Sequence, residues 1–259
     1  MSEELLYEIQ DGIGRITFNR PQARNSFTFP MYERLWEICT HAETDSSVKA
    51  LVLTGAGGKA FAAGTDISQF KAFSTAEDVM GYEARIERVV SALENCPVPT
   101  IAAIGGACTG GGFTIAGCCD LRIGAANARF GVPISRTLGN CLSGANYARM
   151  VSLLGPARVK DIIFTARLID AEEAGRIGLI SEILPDYESA LRRADELART
   201  VASHAPLTLR ATKEALRRIK EKMIPAEDRD LILMCYQSRD FREGMDAFLN
   251  KRPPKWTGT

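Results

Sequence analysis

The sequence predicts an α/β protein: buried parallel strands alternating with helices, followed by an α-helical C-terminal region. Three observations predict it. The runs Val48–Thr54 (apart from Lys49), Thr100–Ile104 and Leu121–Ile123 are apolar without alternation, as strands buried on both faces of a parallel sheet are. Segments with helical apolar periodicity separate them. From Ser189 onward the pattern is helical, punctuated by Pro206 and Pro225. A boundary near His204-Ala205-Pro206 divides the chain into a core of residues 1–203 and a helical region of residues 204–259.

Each element has a local reason. Ile13 to Phe18 alternates and reads as a strand, and residues 20–25 form a loop. Thr28 caps a helix with Pro30 in its first turn and a stripe of Met31, Leu35, Ile38 and Ala42. Asp45-Ser46-Ser47 turns the chain into the first buried strand. Ser74 with Glu77 makes a capping box for a helix carrying Val79, Ile86, Val89, Val90 and Leu93, which stops before Pro97. A short helix begins inside Gly110-Gly111-Gly112 and runs to about Gly117. Gly144 to Leu154 is a helix ended by Gly155, and Pro156 opens the next. Asp170 with Glu173 caps another, closed by Gly178, and Leu179 to Leu184 is a strand.

Composition narrows the function. The 259 residues are 46% hydrophobic, enough for one large core. Lys plus Arg and Asp plus Glu both number 32, which argues against a phosphate-binding surface for nucleic acid. The seven cysteines are scattered and none forms Cys-x-x-Cys, so no metal site or disulfide framework is expected, and they read as small hydrophobes in a reducing cytoplasm. The start, Met-Ser-Glu-Glu-Leu-Leu-Tyr-Glu, is acidic without a signal-peptide core, and no run approaches the ~20 apolar residues of a membrane span. A cytoplasmic location is expected.

Two apolar runs end in small residues: Phe61-Ala62-Ala63-Gly64-Thr65-Asp66-Ile67 and Ala103-Ile104-Gly105-Gly106-Ala107-Cys108-Thr109-Gly110-Gly111-Gly112-Phe113. Where side chains shrink, a ligand reaches backbone N–H groups, and two such places can grip one developing negative charge. The glycines are not a phosphate loop, since no Gly-Lys-Ser or Gly-Lys-Thr follows, and they are not a dinucleotide fingerprint. No Gly-x-Ser-x-Gly elbow occurs, and His41 and His204 sit in amphipathic helices, so a nucleophilic triad has little support.

At these residues the chain resembles the crotonase (enoyl-CoA hydratase/isomerase) superfamily. Asn19-Arg20-Pro21-Gln22-Ala23-Arg24-Asn25 and Ala60–Ile67 resemble its two CoA-binding loops. Pro97–Ile104 leading into the triple glycine, Cys119-Asp120 and Arg129-Phe130-Gly131-Val132-Pro133 follow in the family's order, and Ala205–Lys213 and Glu243–Arg252 resemble its C-terminal signatures. The resemblance implies the crotonase (ClpP-like) fold, a spiral of ββα units with a C-terminal helical trimerisation region. It implies a homotrimer or a hexamer built as a dimer of trimers, acting in acyl-CoA or fatty acid metabolism. Coenzyme A would enter as part of the thioester substrate, with no permanently bound cofactor. The oxyanion hole carries over to the N–H groups of Thr65 and Gly111. CoA contacts carry over to Ala23, Arg24, Ala63, Asp66 and Ile67, with Phe248 and Lys251 reaching the adenine end from a neighbouring subunit. Helix packing for Phe248, a solvated helix end for Lys251 and tight strand–helix packing for the glycines are the competing readings. Asp66 reads better as a helix cap than as a general base.

The family's hydratases add water with two glutamates. The corresponding positions here are Thr114 and Ile134, so ordinary hydration of crotonyl-CoA is expected to be weak or absent. Between Glu94 and Asp161 the one acidic residue is Asp120. A carboxylate could come instead from the segment after Ile67, as Glu77, Asp78, Glu83 or Glu87, all of which fit an exposed helix face equally well. The expected enzyme is a lyase or isomerase that stabilises a thioester enolate. The alternatives are a malonyl-type acyl-CoA decarboxylase, with Arg136 binding the leaving carboxylate, and a non-catalytic acyl-CoA-binding protein. Cys141 reads as packing, for want of a base.

Overall fold

A computed structural model describes residues 4–42, 44–224 and 227–259; Pro225 and the first three residues of the acidic start lie outside these. The sheet order explains the unbroken apolar runs. Strands β1 (Leu5–Gln10), β2 (Ile13–Phe18), β3 (Ala50–Gly55), β5 (Thr100–Ile104), β7 (Leu121–Ala125) and β10 (Glu182–Leu184) form one sheet in the order β1-β2-β3-β5-β7-β10. All neighbours from β2 onward are parallel, and β1–β2 is an antiparallel hairpin. β3 and β5 are buried at every residue because helices cover both faces.

A second sheet is built from β4 (Ala60–Ala62), β6 (Ala107–Thr109) and β8 (Arg129–Gly131), the stretches that follow β3, β5 and β7, with β9 (Ile169–Asp170) antiparallel beside β8. Each turn of the chain therefore runs strand in the first sheet, short strand in the second, then helix. β3-β4 leads to α2 (Ala76–Glu94), β5-β6 to α3 (Gly111–Cys118) and β7-β8 to α4 (Ile134–Thr137). This is the expected spiral of ββα units. Strands of three residues are too short to show periodicity, so the second sheet is not visible in the sequence.

α1 (Phe29–His41) is capped by Thr28 and buries Met31, Leu35 and Ile38 as its stripe predicts. α5 (Gly144–Thr165) bends at Gly155, whose φ of 74° breaks the helix where Pro156 restarts it. Then come α6 (Ala171–Arg176), α7 (Tyr187–Ala202), α8 (Pro206–Glu221), α9 (Arg229–Tyr236) and α10 (Arg239–Leu249). Two boundaries differ from expectation. The capping box of α2 is Thr75 with Asp78, one residue later than Ser74 with Glu77, because the short Asp78 carboxylate accepts from the N–H groups of both Ser74 and Thr75 at 2.9 Å. The last strand shortens to β10, because Leu179 and Ile180 bond back to Ala174 at the end of α6.

Candidate active site

The two small-residue runs meet. Phe27 and Thr65 form a parallel bridge, in which Phe27 N–H donates to Gly64 C=O at 2.8 Å and Asp66 N–H donates to Phe27 C=O at 2.8 Å. A parallel bridge uses the groups flanking residue 65, so the N–H of Thr65 itself points away from Phe27. Gly111 opens α3, whose first helical bond is Thr114 N–H to Gly110 C=O, leaving the Gly111 N–H without an intrahelical acceptor. The positions touch: a Cβ placed on Gly111 would lie 3.6 Å from Thr65 N, 3.2 Å from Thr65 Oγ1 and 2.6 Å from the Tyr32 hydroxyl oxygen. The turns that deliver them need glycine, with φ of 101° at Gly64 and 53° at Gly110. Gly112 has a separate task, since a Cβ there would lie 2.1 Å from Ala62 C=O; it lets α3 pack on β4.

The first loop is tied to the second from beneath. Asn25 is fully buried; its Oδ1 accepts from Arg20 N–H at 2.9 Å, and its Nδ2 donates to Ala60 C=O at 2.7 Å and Ala56 C=O at 3.1 Å. Ala63 N–H donates to Arg24 C=O at 3.0 Å, joining the loops directly. Arg20 donates to Ser26 C=O at 2.7 Å and to Asp66 Oδ2 at 3.0 Å. Asp66 caps the 3-10 turn Ile67–Ala72 by accepting from Ser68 N–H at 3.1 Å. Burial works against its charge, but bonds from Ser68 and Arg20 outweigh that and hold its carboxyl below the ordinary range, as suits a cap.

These loops form the mouth of a cavity of about 680 Å³. Ala23, Arg24, Ala63, Thr65, Asp66, Ile67, Gly111, Phe248 and Lys251, the residues singled out in the sequence, all line it. Phe248 and Lys251, expected to reach the adenine end from a neighbouring subunit, line the cavity of their own chain. The cause is the return path of α10, which packs so closely on α4 that a Cβ on Gly244 would lie 2.4 Å from Leu138 C=O, while Phe241 meets Phe70 at 6.3 Å between ring centroids.

Deeper in, Thr114 and Ile134 line the wall, and the Thr114 hydroxyl makes at most a long contact to Gly110 C=O at 3.5 Å. Arg136 is exposed and outside the lining. Cys141 lines the cavity, donates to Leu231 C=O at 3.4 Å, and has its thiol pKa raised by burial, so it has no thiolate character at neutral pH. Three phenols missed in the sequence also reach the lining: Tyr32 from α1, Tyr82 from α2 and Tyr236 from α9. Tyr32 and Tyr82 stand 2.8 and 3.4 Å from Thr65 Oγ1. In the sequence each passes for one more large residue on an apolar face; the sole clue is a hydroxyl that needs a partner when buried. Of the four candidate carboxylates, Glu83 alone lines the cavity. Burial pushes its carboxyl up to about 7, a bond from Tyr236 works the other way, and the charges of Asp228 and Glu87 add to the rise. No group of His, Cys, Asp and Glu fit to hold a metal occurs among the described residues.

Fold and site together define an α/β spiral protein in which Thr65 and the first residue of α3, Gly111, lie against each other on the wall of a mostly apolar cavity. The chain belongs to the enoyl-CoA hydratase/isomerase family, whose sequence profile matches residues 8–259. It is 34% identical over 255 residues to the short-chain-enoyl-CoA hydratase of Clostridium acetobutylicum, covering 96% of this chain and 95% of that protein. The crystal structure of an enoyl-CoA hydratase/carnithine racemase from Magnetospirillum magneticum superposes with a TM-score of 0.81 at 31% identity, covering 100% of this chain and 97% of that one. A methylmalonyl-CoA decarboxylase structure gives a TM-score of 0.90 at 24% identity over 100% of both chains, a likeness of fold.

Proposed function

We propose that this protein is an acyl-CoA enzyme that holds the thioester carbonyl oxygen between the N–H groups of Thr65 and Gly111 and stabilises the enolate formed when the α-carbon loses a proton. The observation that supports this reading is the close approach of Thr65 and Gly111 on the cavity wall, where neither N–H has a protein acceptor among the described residues. Enolate formation places charge on the carbonyl oxygen, where fixed donors and the α3 N-terminus act without reorganising. Coenzyme A enters with the substrate, along the first loop at Ala23 and Arg24 and the second at Ala63, Asp66 and Ile67, with Phe248 and Lys251 closing over it.

The products are those of a lyase or isomerase. Thr114 and Ile134, at the positions of the family's hydratase glutamates, offer no carboxyl to activate water, so hydration of crotonyl-CoA is slow. The decarboxylase alternative loses Arg136 as its carboxylate-binding group, because Arg136 is exposed and outside the cavity lining. Leu207, Leu216 and Ile219 leave α8 with an exposed apolar face, which supports burial against further copies of the chain in a trimer or hexamer. The location follows the sequence reading, in the cytoplasm.

The test is calorimetric titration with butanoyl-CoA and with S-butyl-CoA, the thioether lacking the carbonyl oxygen. Micromolar binding of the thioester and at least tenfold weaker binding of the thioether are expected. Equal affinities would remove the oxyanion assignment, and binding of neither would remove the acyl-CoA reading. Vigorous hydration of crotonyl-CoA would show the reading of Thr114 and Ile134 to be wrong, and tight binding without turnover or α-carbon exchange would favour a non-catalytic binding protein.

A further inference from the structure

Glu83, Asn140 and Tyr236 come from α2, the segment after α4 and the end of α9, and meet on the cavity wall. Tyr236 donates its phenol O–H to Glu83 Oε1 at 2.8 Å, and Asn140 Nδ2 donates to the Tyr236 oxygen at 3.1 Å. Both Tyr236 and the neighbouring apolar residue Ile86 are buried. Two acceptors are left over. Asn140 Oδ1 is buried with no donor, and Glu83 Oε2 has no protein partner among the described residues.

The contrast with Glu87, one turn further along α2, is informative. Glu87 accepts from Arg149 at 2.6 and 2.7 Å through both oxygens, which is how a carboxylate is usually stabilised out of water. Glu83 has no such cation among the described residues. A carboxyl in an apolar wall without a counter-ion is costly to ionise, so such groups are candidates for chemistry rather than for structure.

We propose that Glu83 is the catalytic proton-transfer group of this site, exchanging the α-proton of an uncharged acyl thioester through Oε2, with Tyr236 and Asn140 as positioning residues. The inference rests on the enolate reading above. In the forward step the Cα–H bond breaks and an O–H bond forms at Oε2. The C–H electron pair becomes the Cα–C1 π bond, and the carbonyl π pair moves to the oxygen held by Thr65 and Gly111. The reverse step returns a proton to carbon, so nothing is oxidised or reduced. The substrate's acyl group is uncharged because the described cations lining the cavity are Arg24 and Lys251, both in the CoA-binding segments, whereas Glu83 lines it outside them. A carboxyl titrating near 7 fits a group that must both take and give a proton at neutral pH. The other groups bearing on its charge are Glu87 on α2, Asp228 before α9, the phenols of Tyr32, Tyr82 and Tyr236, and the thiol of Cys141.

The experiment follows deuterium uptake at Cα of butanoyl-CoA in D2O by mass spectrometry, with binding measured in parallel. The full-length wild-type protein should exchange. Glu83→Gln should slow exchange about 100-fold or more while keeping butanoyl-CoA affinity within about threefold, and Glu83→Asp should recover part of the rate. Tyr236→Phe removes a bond that favours the ionised form, so the midpoint of the pH–rate profile should move up. Exchange by Glu83→Gln at the wild-type rate would overturn the Glu83 assignment and leave the enolate reading standing. Binding without exchange by the wild type would overturn the enolate reading itself, and this inference with it. Should Glu83→Gln fail to bind, the Glu83→Asp rate and the Tyr236→Phe profile decide: wild-type behaviour in both would overturn the proposal.

Discussion

Neighbouring glycines offer a sharp test of which backbone positions serve chemistry and which serve packing. In Gly111→Ala the new methyl would stand 2.6 Å from the Tyr32 hydroxyl oxygen and 3.2 Å from Thr65 Oγ1, beside the N–H groups proposed to hold the carbonyl oxygen. The nearer atom is the tip of a buried ring stacked on Phe27, so overpacking costs about 1 kcal/mol, which alanine's higher helix propensity partly offsets, and Tm should fall by no more than about 4 °C. The reaction should suffer: the N–H remains, but a methyl that keeps the carbonyl oxygen off it forfeits that donor, worth ~3 kcal/mol, a slowing on the order of 100- to 1,000-fold. In Gly112→Ala the methyl would stand 2.1 Å from Ala62 C=O, a backbone atom in β4 that cannot rotate away. Overpacking of this kind costs ~3 kcal/mol, and for a chain of this size each kcal/mol lowers Tm by roughly 2–4 °C, so a fall of about 6–12 °C is expected. Calorimetric melting and deuterium exchange into butanoyl-CoA read the two effects separately. Exchange by the Gly111→Ala variant at the wild-type rate would refute the placement of the oxyanion hole. A Gly112→Ala variant as stable as wild type would refute the account of how α3 docks on β4.

Three further outcomes are expected. Asn25→Ala strands Arg20 N–H and Ala60 C=O in a buried loop base and should cost about 2–4 kcal/mol in urea unfolding, with weaker acyl-CoA binding because both loops hang on it. Arg149→Ala removes the cation paired with Glu87 and Glu94 inside the helix layer and should cost about 3 kcal/mol, read the same way. Glu83 in the folded protein titrates near 7, above its unfolded value of about 4.3, so the folded state binds the proton more tightly. Its stabilisation is full below about pH 4 and is lost as pH rises through 7. Wild type should therefore lose up to about 3 kcal/mol relative to Glu83→Gln between pH 4.5 and 8, and a constant difference across that range would contradict the burial of the carboxyl.

What the sequence made legible followed short-range physics. Unbroken apolar runs marked β3, β5 and β7, helical periodicity marked α1 and α2, and the two small-residue runs marked the turns that converge on the cavity. The elements it hid depend on partners distant in the chain. β4, β6 and β8 have three residues each and exist because successive turns of the spiral stack them. β1 is largely exposed at a sheet edge, so it lacks the burial signature of a strand. The closing of α10 over its own cavity depends on Gly244 lying against Leu138 C=O, a contact between residues more than a hundred positions apart.

The carboxylates of α2 show most directly where local reasoning stops. Glu77, Asp78, Glu83 and Glu87 are equivalent in the sequence: acidic residues on one helix, each compatible with a solvated face. Tertiary structure gives each a different fate. Glu77 stays exposed. Asp78 closes the capping box and is held at about 2 by the Ser74 and Thr75 N–H groups. Glu87 is neutralised by Arg149, which arrives from α5. Glu83 meets neither a cation nor a helix end, and the phenol of Tyr236 reaches it from α9, 153 positions along the chain. The features that separate a candidate acid–base group from the other three carboxylates are thus the identities of the groups opposite each one. Those are supplied by the helices that wrap the cavity, and no spacing within α2 encodes them.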